Sequence, residues 1–165
     1  MQVIFIPKPG IDLYRTLLLS ETSRMILRFY SPRRRDDGCV EVPVATLGSA
    51  LSLASELRWY IRRYTSVTLF KTRDGIVISK NLAKEIYERS LPYPGEDWPY
   101  SYTCSIHQPG KPDQQLVILC LEGERPESSR KHQTATSDTP EADTGFEDSE
   151  FDSQKDPEFK PDPES

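Results

Sequence analysis

A chain of 165 residues is one domain, or one domain with an appendage. Its formal charge of −5 averages two unlike parts: Met1–Lys131 holds 19 basic and 15 acidic residues, near +4, and His132–Ser165 holds 2 and 11, near −9. The mean charge therefore says nothing about partners, and no apolar run approaches the ~20 residues of a membrane-spanning helix.

Gln2–Ile6 (QVIFI) reads as a short strand. Pro7 and Pro9 end it too soon for a secretory leader. Ile11–Ser20 is ambiguous between helix and extended chain. Met25–Tyr30 (MILRFY) reads as a strand, Ser31–Gly38 as a charged turn broken by Pro32 and Asp37-Gly38, and Cys39–Ala45 as a second strand with period two. Together these predict a hairpin. Pro43 lacks an N–H, so its strand belongs at a sheet edge.

Leu47–Tyr64 carries the best helical pattern. Leu47, Ala50, Leu51, Ala54, Leu57, Ile61 and Tyr64 share one stripe, and Thr46 can cap its start. Trp59 and Arg63 fall opposite that stripe, towards solvent. Ser66–Thr72 predicts a strand, Arg73-Asp74-Gly75 a turn, and Ile76–Ile78 a short extended run. Ser79 is a predicted N-cap for a second helix, Lys80–Ser90, with Leu82, Ala83, Ile86 and Tyr87 inward. A proline-rich connector follows. Tyr100–Ile106 and Gln115–Leu121 are the last strands, joined by a Pro/Gly turn over residues 108–114.

From residue 125 the chain is expected to be an acidic, disordered tail. From His132 on it has no Ile, Leu, Val, Met, Trp or Tyr, and its only large apolar residues are Phe146, Phe151 and Phe159. Such a segment cannot bury enough surface to offset ordering, about 1–2 kcal/mol per residue of backbone.

Catalysis is not expected. His107 and His132 are the only histidines, and His132 lies in the tail, so a triad has one candidate base. Cys104 and His107 have the spacing of half a zinc site, which Cys39 and Cys120 would complete. On an extended strand, however, residues 104 and 107 point to opposite faces. Three cysteines and no sequon fit a reducing cytoplasmic or nuclear compartment with free thiols. No phosphate-binding loop, cofactor, metal, small-molecule substrate or membrane contact is expected.

The basic residues suggest a partner surface. Arg33, Arg34 and Arg35 share the predicted turn, and Arg58, Arg62 and Arg63 surround Trp59 at the end of the long helix. A phosphate-contacting face with one stacking ring is one reading. A solubilising face interrupted by Asp36, Asp37 and Glu56 is the other. Ser31, in Ser-Pro-Arg-Arg, and Ser149, in the tail, have the form of phosphorylation sites, and phosphate at Ser31 would sit beside three arginines.

Residues 25–107 resemble a ubiquitin-like β-grasp domain, and within that superfamily the ubiquitin-like modifiers of autophagy. The resemblance rests on Val42-Pro43 followed by Thr46-Leu47-Gly48, on Ser66–Thr72, on Lys84–Glu88 and on Tyr100–Ile106. It implies an α+β fold: a β-grasp sheet with one long and one short helix and extra strands at both ends. Residues 1–24 would then be an N-terminal extension, 25–124 the domain and 125–165 the tail. It also implies a non-catalytic protein–protein interaction module. Peptides would add to the edge at Cys39–Val44 through Val40 and Val42, flanked by Arg33–Arg35 and by Trp59, Arg62 and Arg63. The family's conjugated terminal glycine has no counterpart here unless the chain is cleaved after Gly110. Residues 40–122 also resemble, in element order, the Alba-like proteins that bind DNA or RNA, which is the alternative reading. A viral or lineage-specific accessory protein of unrelated fold is a third.

Overall fold

The computed structural model describes residues 1–95, 97–106 and 113–126. The expected tail from residue 127 on, Ser149 within it, and His107 and Gly110 lie outside these residues.

The fold is α+β. A seven-stranded sheet comprises β1 (Gln2–Pro7), β2 (Arg33–Arg34), β3 (Val40–Pro43), β4 (Thr65–Lys71), β5 (Val77–Ser79), β6 (Ser101–Ile106) and β7 (Gln114–Leu119). Its order is β2-β3-β1-β4-β5-β7-β6. The helices are α1 (Leu13–Leu19), α2 (Glu21–Leu27), α3 (Leu47–Glu56), α4 (Arg58–Tyr64) and α5 (Lys80–Tyr87).

The first strand is central. β1 pairs antiparallel with β3 on one side, Val3 opposite Val42, and with β4 on the other, Val3 opposite Phe70. Four consecutive residues, Val3, Ile4, Phe5 and Ile6, are buried. That is why QVIFI shows no polar alternation: both faces of the strand are covered. Residues 1–24 are therefore not an extension of the domain but supply the middle of its sheet.

Val3, Phe5, Val40, Val42, Phe70 and Ile78 face the helices and pack with Leu13, Leu17, Leu27, Leu53, Leu57 and Leu82. Each such side chain contributes about 1.5–3 kcal/mol relative to exposure. Ile4, Ile6, Cys39, Leu69 and Val77 face the other way and pack with Ile106 and Ile118, with Tyr102, Cys104 and Leu116 against them. The β6–β7 hairpin thus lies across the back of the sheet. It joins the sheet through one parallel residue pair, Ile78 with Leu119, so a sharp change of direction there costs few ladder bonds.

Two expected elements also change. Met25–Tyr30 is not a strand, because α2 runs through Leu27. Ser23 and Leu27, one helical turn apart, are buried, and the Ser23 hydroxyl donates to the carbonyl of Leu17 at 2.5 Å. Burial on a helical stripe overrides the strand preference of Met, Ile, Phe and Tyr. The partner of Cys39–Ala45 is accordingly β1. The long helix is also split. Leu57, at φ −85° and ψ 8°, separates α3 from α4, although its N–H still donates to Leu53 O and its carbonyl accepts from Ile61 N.

Other local expectations hold. Thr46 and Ser79 cap α3 and α5, their hydroxyls accepting from Ser49 N and Leu82 N, both at 3.1 Å. Gly75, at φ +89°, closes the turn between β4 and β5. Tyr87, expected inward, is exposed, and its ring lies across Gly48 on α3, where a Cβ would come within 3.0 Å of it.

Candidate interaction surface

The segment RWYIRRY forms α4. Leu57, Tyr60, Ile61 and Tyr64 anchor it to the core. That leaves Arg58, Trp59, Arg62 and Arg63 outward, as the periodicity predicts. Trp59 is 57% exposed. Its ring meets Tyr60 edge-on at 4.9 Å and Tyr64 at 5.9 Å. The Arg63 guanidinium lies 5.6 Å from the Trp59 ring centre and 5.7 Å from that of Tyr64, within cation–π range. Neighbouring rings thus hold the indole in place while leaving much of it open.

Arg58, Trp59 and Arg62 line a concavity of about 410 Å³. Among the described residues its wall offers a π face and guanidinium donors, and no nucleophile or general base. Arg62 and Arg63 also sit in the last turn of α4, where cations complement the carbonyl end of the helix dipole. Lys8 reinforces that end, its ammonium donating to Arg62 O at 2.9 Å and its N–H to Tyr64 O at 3.0 Å.

The second basic group is largely neutralised internally. Arg35 is within 2.9 Å of Asp37 and 4.0 Å of Glu41. The Asp37 carboxylate is buried, and its other oxygen accepts from Cys39 N at 3.0 Å, holding the turn that Gly38 closes at φ +79°. The Asp37–Arg35 approach is a close ion pair whose N–H does not point along the O···N line, so that oxygen carries no hydrogen bond. Arg34 pairs with Asp12 at 3.3 Å. Arg33 alone of the three has no carboxylate partner among the described residues. Both basic groups touch the loop from Lys8 to Asp12, which places them around one end of the domain.

Val40 and Val42 do not line a partner surface. Both are fully buried against the helices. Nor is β3 an open edge: β2 pairs with it at Glu41 and Val40, and Val44 N–H turns inward to Met1 O at 3.0 Å. Pro43 offers no donor. Strand addition along Cys39–Val44 through those valines is thus excluded.

Sequence reasoning missed three exposed apolar residues in the helical layer. Leu19 on α1, Met25 on α2 and Phe29 just beyond it are open to solvent, with Arg28 stacked 4.8 Å over the Phe29 ring. The α1–α2 corner meets α4 through Ser20 Oγ and Tyr60 Oη, 2.5 Å apart. Only a helical assignment of residues 21–27 would have put Met25 and Phe29 outside.

The cysteines are free. Burial, with the nearby Asp37 carboxylate second, pushes the Cys39 thiol up to about 12; burial, then Glu124, pushes Cys120 up to about 11; burial also raises Cys104. Thiols held protonated are poor nucleophiles and poor metal ligands.

The geometry defines an α+β domain with a cationic, aromatic surface. Residues 1–97 match the family of unknown function DUF5804, and the chain belongs to that family. The match runs from β1 through α5 and stops before β6. No curated protein and no solved structure matches the chain. Among the described residues, no helix is long and apolar enough to cross a membrane.

Proposed function

We propose that the domain is a non-catalytic protein–protein interaction module that binds an acidic, aromatic-bearing peptide segment at the Trp59 surface. The carrying observation is the exposed indole bordered by Arg58, Arg62 and Arg63 over a concavity of about 410 Å³. Trp and Arg are the residues most often found at the energetic centres of interfaces. Met25 and Phe29 add apolar area in the same helical layer.

The ubiquitin-like resemblance contributes the idea of a small non-catalytic binding domain, not the site. Its first strand would be Met25–Tyr30, which is helical up to Leu27. Ser31, exposed two positions before Arg33, remains a candidate modification site that would add negative charge beside that arginine.

The second reading is the Alba-like one, binding to single-stranded nucleic acid. Residues 40–122 run strand, helices, two strands, helix and final hairpin, which approaches the Alba-like order, and an exposed ring able to stack on a base also favours this reading.

One titration separates the two. The full chain is followed by tryptophan fluorescence with a synthetic peptide carrying Phe among Asp and Glu, and separately with an oligothymidylate. Saturable peptide binding, lost in Trp59→Ala and weakened in Arg62→Ala, supports the module. Oligonucleotide binding that weakens steeply with salt, with no peptide binding, supports the second reading and overturns the first.

A further inference from the structure

The two edges of the sheet are built differently. At one end β2 is two residues long, both arginines, preceded by Pro32. Short length, charge and proline are the usual devices that keep an edge from pairing with another chain. At the other end β6 is six residues, Ser-Tyr-Thr-Cys-Ser-Ile, with no charge and no proline.

The hydrogen-bond phase of β6 fixes what that edge presents. Cys120 N–H donates to Tyr100 O at 3.0 Å, so Tyr100 and Cys120 form a hydrogen-bonded pair. Antiparallel bonding alternates along a strand. Tyr102, Cys104 and Ile106 therefore bond towards β7, and Ser101, Thr103 and Ser105 direct their N–H and C=O groups outward. Among the described residues these outward groups have no backbone partner.

These three residues read the same in both directions about Thr103. We propose that β6 is a self-association edge, pairing antiparallel with β6 of a second copy of this chain across a two-fold axis at Thr103. In that register Thr103 faces Thr103 of the second copy, and Ser101 faces Ser105. Each is a hydrogen-bonded pair exchanging two bonds. On one face the pairs are hydroxyl with hydroxyl, a favourable cross-strand combination; on the other, Tyr102 meets Cys104. No like charges meet. The exposed Val117, opposite Thr103 on β7, adds a β-branched side chain to the same face. A two-fold axis makes such a contact isologous and closed, so it ends at a dimer. The edge lies beyond the 1–97 stretch that carries the family match.

The test is sedimentation equilibrium on the full chain over a range of concentrations. Wild type is expected to reach twice the chain mass of 18.9 kDa. Ser101→Lys with Ser105→Lys places like charges across both outer pairs and is expected to abolish the dimer. Ser101→Lys with Ser105→Glu places opposite charges there and is expected to keep it. Circular dichroism checks that both variants fold, which is expected because these side chains sit on the outer strand. A wild-type chain that stays monomeric at every concentration overturns the proposal. So does a dimer that survives the double-lysine change, or one that both double variants lose equally.

Discussion

Glu124 reaches back 45 positions to Ser79. Its carboxylate accepts from the Ser79 hydroxyl at 2.5 Å, from the Asn81 amide at 2.9 Å and from Leu121 N–H at 2.9 Å. The same Ser79 hydroxyl caps α5. One carboxylate thus ties the end of the β6–β7 hairpin to the start of a helix in the main layer. Because the hairpin meets the sheet at a single residue pair, this tie matters more than its exposure suggests. Glu124→Ala should lower unfolding stability by about 1–3 kcal/mol, since it strands partly buried donors. Urea unfolding measures it, and a loss within error would show that the hairpin holds its place by packing alone.

Helix α5 ends with a residue in the wrong conformation for its type. Arg89 has φ +60°, while its N–H donates to Ile86 O at 3.1 Å and Ser90 N–H to Glu85 O at 2.9 Å. That is a Schellman ending, whose left-handed position favours glycine. Arg89→Gly should raise stability by about 1 kcal/mol by relieving the Cβ contact of that conformation. The midpoint of denaturant unfolding should rise with unchanged slope.

The buried thiols set an alkaline limit. Cys39 and Cys120 have an ordinary value of 9.0, and burial raises them to about 12 and about 11 in the folded chain. The folded state therefore holds protons that the unfolded state releases above pH 9. Stability is fully present below pH 9 and falls as pH rises from there towards 11 and 12. Cys39→Ala with Cys120→Ala should flatten the slope of stability between pH 9 and 11. At pH 8, a thiol reagent should modify the half-buried Cys104 first and reach the other two only on unfolding.

Val42 separates a core residue from an interface residue. It is fully buried opposite Val3, so Val42→Asp places a carboxylate among apolar side chains at a cost of several kcal/mol. The variant should be largely unfolded. Trp59→Ala, by contrast, removes edge-on ring contacts and an exposed cation–π contact with Arg63, and should cost less than about 1.5 kcal/mol. Thermal unfolding of the pair distinguishes them, and a folded Val42→Asp protein would show that the buried strand face is not as drawn.

What could be read from the chain depended on how local the signal was. Thr46, Ser79 and Gly75 work within three or four residues of themselves, and their roles were legible. The outward position of Trp59 and Arg63 followed from helical spacing alone. The placement of β1 did not, because QVIFI records that a strand is buried on both faces but not which strands flank it. Met25–Tyr30 misled because its residue types favour strands, while the buried Ser23–Leu27 pair that makes it helical depends on packing to Leu17 and the sheet. The pairing of Arg35 with Asp37 was local enough to anticipate, and it removes one arginine from the surface the composition suggested.

The position of β1 has a consequence in time. It is synthesised before its partners, which lie some 40 and 65 positions later, at Val40–Pro43 and Thr65–Lys71. Its back face waits longer, for Ile106 and Ile118. Contacts this distant in sequence slow folding, because loop closure must precede any gain. Until those partners have been made, QVIFI is an unpaired apolar strand, the kind of segment most exposed to aggregation.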